Sequence, residues 1–488
     1  MNVTNPTLKP YPAYKDSGVP WLGEIPAHWD VKRQRNIADM LVSNVDKLSV
    51  DGEVPVRLCN YVDVYKNDHI TERIQFMRAT ASTAEIDRFR LRLGDVLITK
   101  DSESWNDIGV PSLVKYVADD LVCGYHLALL RPRPNVLLGS FLLRAIQSRG
   151  VSIQYHIAAN GVTRYGLSQN AIKSVLVPIP SLEEQHHIAA FLTHIDHRVN
   201  RLIRIKRRMV ALLNEQKQAI IHRAVTRGLD PDVRLKPSGV AWLGEVPEHW
   251  EVRRLKSLVT EAVAGPYGSS LTKAMYTKQG YRVYGQQQVI PDNFSVGNYY
   301  ISAEKFAEMI RYHVTPNDVL VSVMGTVGRI AVVPESAEPG IINPRLVRYR
   351  PDFNKIRARY VQLAMQASPS QTQLAEGAKG TTMEGLNMQI LGRLLILVPP
   401  LQEQDAILKN VDLGTQQLVS VINKAQREID LIREYRTRLV ADVVMGKFDV
   451  RGVDLAAYGD EPAGLDEALV DEGDEDVEVA DEVEEDAG

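Results

Sequence analysis

Two stretches of the chain place apolar residues in alternating steps of four and three. In the first, Ile188, Leu192, Ile195, Val199 and Leu202 share a face, and after a phase slip near Lys206 the pattern resumes at Met209, Leu212 and Ile220. In the second, Val411, Leu418, Val421, Ala425, Ile429, Ile432 and Leu439 do the same. Such spacing predicts long helices with a narrow apolar seam. Ser181 stands as N-cap of the first, with Glu184 three residues on completing a capping box, and Gly228 followed by Asp230-Pro231 stops it. Its roughly 43 residues would reach roughly 65 Å at 1.5 Å per residue. The second runs from about Leu401 to Gly446. A narrow seam asks for a partner helix, so the two are expected to pair as an antiparallel coiled coil; the alternative is that each folds back on its own domain.

Ahead of each helix the pattern changes. Short β-branched runs at Asp95–Thr99, Ser174–Val177, Asp318–Val323, Ile330–Val333 and Leu394–Val398 are separated by Gly, Pro, Asn and Asp turns. They predict strand-rich α+β domains with few long helices.

The organisation is written twice. Trp21–Trp29 reads WLGEIPAHW and Trp242–Trp250 reads WLGEVPEHW, an offset of 221. Gly94–Lys100 (GDVLITK) parallels Asn317–Val323 (NDVLVSV), Gly161–Leu167 (GVTRYGL) parallels Gly380–Leu386 (GTTMEGL), and Pro180–Ile188 (PSLEEQHHI) parallels Pro399–Ile407 (PPLQEQDAI). A tandem duplication is the economical reading. The expected segments are a lead-in at 1–29, a mixed domain at 30–180, a helix at 181–228 and a linker with the repeated lead-in at 229–250. A second mixed domain at 251–399, a second helix at 400–450 and an acidic, disordered tail at 451–488 complete the chain.

Charge alters this picture because it is unevenly spread. The 488 residues hold 57 Lys and Arg against 61 Asp and Glu, a formal charge of -4. From Gly452 to the end there are 16 acidic residues and no Lys or Arg, which leaves the body with 45 acidic against 57 basic, about +12. A basic body makes nucleic acid a leading partner. Only Cys59 and Cys123 are present, too few for a disulfide framework or a Cys-built zinc site, and a reducing cytoplasm is expected. No apolar run approaches the ~20 residues of a membrane span, and no signal peptide opens the chain.

Candidate chemistry is sparse. There is no GxxxxGK[ST] loop, and Asn343-Pro344-Arg345 only partly echoes the Asn-Pro-Pro-Tyr element that holds a flipped adenine. Pro351-Asp352 with Glu376 and Lys379 lacks nuclease spacing. His186, His187, His194 and His197 read as a solvated helix face rather than a metal site. Trp21, Trp29, Trp242 and Trp250 are expected to pack the lead-in segments rather than stack on bases. What remains suits binding. Small-residue loops in the second copy offer Tyr267 and Ser269 (GPYGSS), Gln286, Gln287 and Gln288 (YGQQQ), Met324 and Thr326 (MGTVG), and Lys379, Thr381 and Thr382 (KGTT). The matching stations in the first copy offer Lys100 and Ser102 (KDSESWN) and Asn160, Thr163, Arg164 and Tyr165 (NGVTRY). Backbone amides in such loops can approach phosphates, and Gln can pair with adenine N6 and N7.

Taken together, WLGE(I/V)P-HW, GPYGSSL, NDVLVSVMGTVGRIAVVP, INPRLVRYRP, GTTMEGLN and PPLQEQ opening a long helix resemble the DNA-specificity (S) subunit of type I restriction–modification enzymes. The resemblance covers nearly all of Tyr14–Val450; KDSESWNDIGVP and HLALLRP depart from it in the first copy, and the acidic tail lies outside it. It implies two tandem target-recognition domains, each reading half of a bipartite asymmetric site in double-stranded DNA, with the paired helices as a ruler for the spacer. It also implies docking of two methyltransferase (M) and two restriction (R) subunits. S-adenosylmethionine would belong to the M subunits, ATP and Mg2+ to the R subunits, and no cofactor, metal, membrane or catalysis to this chain. Two other classes stay open: a free-standing DNA methyltransferase or nuclease, and a coiled-coil scaffold whose domains bind protein.

Overall fold

The computed structural model describes residues 8–240, 243–378 and 386–454. Trp242, the loop residues Lys379, Thr381 and Thr382, and the acidic tail beyond Asp454 lie outside them. The chain forms two compact units. One contains the chain up to Lys206 together with the chain from Arg427, and the other contains Arg207–Gln426. The boundary falls within the two long helices, Leu182–Arg227 and Leu401–Val444. No described helix is long and apolar enough to cross a membrane.

The first unit holds a five-stranded sheet ordered Ala38–Val42, Leu127–Pro132, Val96–Thr99, Pro111–Val114 and His69–Ile70, antiparallel except at the last pair. A second sheet pairs Val54–Cys59 with Leu121–Cys123 and Met77–Ala81. Helices Gly139–Gln147 and Arg149–Ala158 supply Phe141, Leu142, Ile146, Val151 and Tyr155 to the core. The second unit repeats this plan with Val259–Ala264, Leu346–Pro351, Val319–Ser322 and Ile330–Val332, and with helices Ala358–Gln366 and Ser368–Ala378. In both, the strand that enters the domain pairs antiparallel with the strand that leaves it: Asp30–Arg33 with Leu176–Ile179, and Glu251–Arg254 with Leu395–Val398. Each mixed domain is therefore closed at its neck, with the long helix starting from the exit strand.

A buried amide fixes that start. Gln185 accepts from the Leu138 amide at 2.9 Å and donates to the Val136 and Pro180 carbonyls, each at 3.0 Å. Gln404 does the same with the Arg357 amide and the Lys355 and Pro399 carbonyls. Both side chains are fully buried, so their polar atoms must be satisfied internally. The neighbouring carboxylates grip the duplicated lead-in segments. Glu184 accepts from the Tyr11 hydroxyl at 2.6 Å and meets His28 at 3.0 Å; Glu403 meets His249 at 2.7 Å and accepts from the Trp250 indole at 3.1 Å. Ser181 does cap the helix, accepting from the Glu184 amide, but the Glu184 carboxylate is turned into this grip instead of completing a capping box. Trp29 and Trp250 are fully buried, and Trp21 is half exposed. The ends of the helices return to the same places, Gly446 against Pro26 and Trp29, and Gly228 against Trp250.

Within the first unit the two helices run antiparallel: Asp196 bonds Arg436 at 2.7 Å, Val199 and Ile203 pack on Ile429, and Lys206 bonds Glu428 at 2.5 Å. Within the second, Gly414 faces Ile220. At one step of the seam a neighbour takes the expected place, since Ile203 is buried and Leu202 is exposed. A step of four keeps the stripe facing its partner where helical twist would carry a strict 3.5-residue repeat away. Leu212 and Val421 are likewise exposed rather than sealed in the seam. Arg144, itself buried, reaches across to Asp196, so a domain helix and both long helices share one carboxylate.

Replacing Gln185 by Leu keeps volume but strands three backbone groups. Urea denaturation should show the transition of the first unit lose about 3 kcal/mol, whereas Glu434→Ala on an exposed helix pair should stay within about 0.5 kcal/mol.

Candidate nucleic-acid interface

In the first unit the loops meet as a small sheet. Asp101–Ser102 pairs with Tyr165–Gly166, which pairs with Asn160–Gly161, and the Leu167 amide donates to the Lys100 carbonyl at 2.8 Å. Lys100, Ser102, Asn160, Thr163, Arg164 and Tyr165 are thus brought together. The hairpin tip carries Val162, Thr163 and Arg164, all exposed, with Val162 at 90%. The turn requires glycine at its base: a Cβ on Gly161 would sit 1.9 Å from the Arg164 carbonyl oxygen. The six residues differ in availability. Lys100 is largely covered, 3.4 Å from Asp101 and 4.5 Å over the Tyr125 ring. Ser102 is buried and accepts from the Ser104 amide. Asn160, Thr163 and Arg164 face outward and Tyr165 is half-buried.

Sequence reasoning missed the aromatic wall beside this hairpin. Tyr61 and Tyr65 stack with centroids 5.5 Å apart, and the Tyr65 hydroxyl donates to Asp107 at 2.7 Å. Exposed Trp105 lies edge-on to His156. Burial pushes the Tyr61 phenol up, Ser102 and Arg164 oppose that rise, and Asp107 and Glu103 add to it. The loop joining these groups holds more carboxylates than cations, so this surface offers hydrogen-bond acceptors as well as donors. The available signal was the Tyr-x-x-x-Tyr spacing of a one-turn helix, Tyr61–Tyr65, which stacks its two rings.

In the second unit four loops converge. A Cβ on Gly265 would meet the Asn343 carbonyl oxygen at 1.9 Å, so only glycine permits this approach. Gln286 donates to the Ser322 hydroxyl at 2.6 Å and the Met324 carbonyl at 2.5 Å, and Arg345 reaches its Oε1 at 3.5 Å. Gln286 therefore spends its amide on holding the Met324–Gly328 loop. Gln288 is fully buried, accepting from the Gly285 amide and donating to the Val296 carbonyl, and cannot serve as a base reader. Gln287 is half-buried beside Gly297. Tyr267 (62% exposed), Ser269 and Met324 face outward, and Thr326 is half-buried. Arg345, which sequence reasoning set aside within a partial methyltransferase echo, stands exposed among them, as does Arg329.

Lys379, Thr381 and Thr382 lie outside the described residues, but Leu386 directly follows their loop and its amide donates to the Val323 carbonyl at 2.9 Å. That is the duplicate of the Leu167–Lys100 bond. Among the described residues no group of His, Cys, Asp and Glu could hold a metal ion. His186, His194 and His197 instead line a shallow groove with Ser140, Ala189, Ala190 and Thr193.

Known proteins share this organisation. A family model described as the type I restriction modification DNA specificity domain matches residues 61–209 and again 247–429. The MjaX type I restriction enzyme specificity subunit of Methanocaldococcus jannaschii is 24% identical over 446 residues, 88% of this chain and 96% of that one. The MjaVIII specificity subunit of the same organism is 20% identical over 444 residues, 88% of this chain and 95% of that one. A solved chain of a type I R-M system, from work on complex assembly and conformational transition, has the same fold with a TM-score of 0.60 at 17% identity, covering 87% of this chain and 99% of that one.

The exposed and the buried members of these loops should separate cleanly in mutants. Arg345→Ala should weaken specific duplex binding by about 1–3 kcal/mol without moving the unfolding midpoint. Gln288→Leu should destabilise the second unit by about 1–3 kcal/mol, read by thermal denaturation.

Proposed function

The chain belongs to the type I restriction–modification DNA specificity family, and from that premise we propose that each unit's clustered loops read one half of a bipartite, asymmetric duplex target. The observation that carries this reading is the pair of equivalent backbone bonds, Leu167 to Lys100 and Leu386 to Val323. They hold two sets of loops at one station of a common scaffold while the side chains on them differ. One station presents Arg164, Thr163 and carboxylates; the other presents Arg345, Tyr267 and Ser269. Different donor and acceptor sets on one frame suit two different half-sites.

The paired helices act as the ruler. Half-sites read from one face of the duplex lie about one helical turn, ~34 Å, apart, and one added or deleted helix turn alters reach by ~5.4 Å. Their faces away from the seam dock two M subunits, and two R subunits join to complete the nuclease. This chain supplies the address and no reaction: S-adenosylmethionine serves the M subunits, and ATP and Mg2+ the R subunits, in the cytoplasm. The work of turning out the target adenine, a few kcal/mol, falls to the M subunits, and binding by both recognition domains helps to offset it.

Mapping methylated adenines in the host genome by single-molecule sequencing should yield one split motif. Exchanging residues 30–180 for the first domain of another family member should change one half of it and leave the other. A change in both halves would refute the modular reading, and robust methylation or cleavage by the purified chain alone would refute the non-catalytic one.

A further inference from the structure

Five side chains in the first unit form a closed ring. Arg144 meets the Asp196 carboxylate and donates to Gln147 at 3.0 Å, and Gln147 donates to Asp68 at 3.0 Å. Arg436 closes it, donating to Asp68 at 3.1 Å and to Asp196 at 2.7 Å. Asp68 precedes the edge strand His69–Ile70, and its carbonyl accepts from the Leu113 amide at 3.0 Å, so the sheet holds its backbone. Arg144 and Gln147 lie on the domain helix Gly139–Gln147, Asp196 on the first long helix and Arg436 on the second. Arg144 and Asp196 are buried and Arg436 is half-buried.

Burying such a cluster is a poor route to stability, because desolvation cancels much of the Coulombic gain. The second copy does without it. The offset that relates Gln185 to Gln404 places Leu363 at the station of Arg144 and Thr415 at that of Asp196. Leu363 is buried in the core, and the Thr415 hydroxyl donates to the Val411 carbonyl of its own helix at 2.7 Å. There the domain helix meets the second long helix through Arg359 and Asp412, 4.0 Å apart and both exposed, a contact of little strength. What the ring adds in the first unit is direction. Leu439, Val440, Val443 and Val444 of the second long helix pack into the domain core, but apolar contacts are non-directional and hold the domain close without fixing its angle. The Gln185 bonds anchor the first long helix at its start, and Asp196 lies eleven residues further on, ~16 Å along the axis. Two anchors that far apart remove the rotation that one leaves.

We propose that this ring fixes the angle of the first recognition domain on the helix pair and so confines the complex to one spacer length. Arg436 and Asp68 are then positioning residues, acting through the domain they hold. The inference rests on the bipartite reading given above. A spacer one base pair longer or shorter displaces a half-site by ~3.4 Å and turns it by ~35° about the duplex axis. The bonds Arg436 makes at 2.7 and 3.1 Å cannot follow such a shift and remain bonds.

The test expresses the whole complex with the wild-type chain, Asp68→Asn, Arg436→Gln, the two together, or Arg438→Gln, and maps methylated adenines in the host genome, which presents the half-sites at many spacings. Urea denaturation checks that each variant folds. The wild type should methylate one spacing. Asp68→Asn and Arg436→Gln should keep both half-sites and raise methylation at spacings one base pair longer or shorter about tenfold, the scale of one charge-assisted bond. The double variant should do no more than Arg436→Gln, since one break opens the ring. Arg438→Gln, whose exposed pair with Glu434 lies outside the ring, should match the wild type. Unchanged spacing in the folded single variants, equal relaxation by Arg438→Gln, altered half-site bases, or loss of all methylation by folded variants would overturn the proposal. If Arg436→Gln does not fold, Asp68→Asn, at a half-exposed carboxylate, decides the matter alone. A split motif in the wild type with unchanged spacing in the variants sinks the ring only; a wild type with no split motif sinks the bipartite reading with it.

Discussion

A single buried side-chain amide, present twice, governs how this molecule can work. Gln185 and Gln404 each accept one backbone amide and donate to two carbonyls, joining the loop ahead of a domain helix to the proline step that opens a long helix. A helix attached only through its connecting strand would pivot. Three hydrogen bonds from a fully buried group leave no alternative partner in the interior, so the helix leaves its domain in one direction. The ruler proposed for these helices would require that constraint at both ends. The grip of Glu184 and Glu403 on the lead-in segments and the shared carboxylate of Asp196 all build on an orientation that the amides have already set.

The sequence made much of the scaffold legible because the duplication supplied an internal control. PSLEEQ and PPLQEQ coincide where Gln185 and Gln404 sit, and the two WLGE segments coincide where Trp29 and Trp250 are buried. The seam was readable in outline but lost register at Leu202. Periodicity alone cannot distinguish a step of three from a step of four where Leu202 and Ile203 are both aliphatic. The role of Glu184 was misread for a related reason. A local capping rule competes with a long-range partner, and Tyr11 is 173 residues away.

The candidate loops were legible as positions and much less so as side chains. The described members of both sets gather where the repeats predicted, yet Ser102 and Gln288 are buried, and Gln286 braces a neighbouring loop. Polar residues in a convergent cluster must first satisfy the backbone groups that loop packing removes from water. Which of them remain to face a ligand depends on that internal accounting, which composition does not reveal. Tyr61 and Tyr65 escaped notice because they come from a distant part of the chain and only the sheet topology brings them to Ser102.

The bond from Leu167 to Lys100, and its duplicate from Leu386 to Val323, joins main chain to main chain. It imposes almost no demand on the identity of the residues around it. Apart from positions such as Gly161, Gly265 and Gln286, which shape or brace the loops, exposed loop residues can change without loosening the frame that displays them, in each copy independently of the other. On the proposed reading, a lineage could obtain a new half-address by point changes at exposed loop positions such as Thr163 and Tyr267. The old half-address persists while the new one is being found.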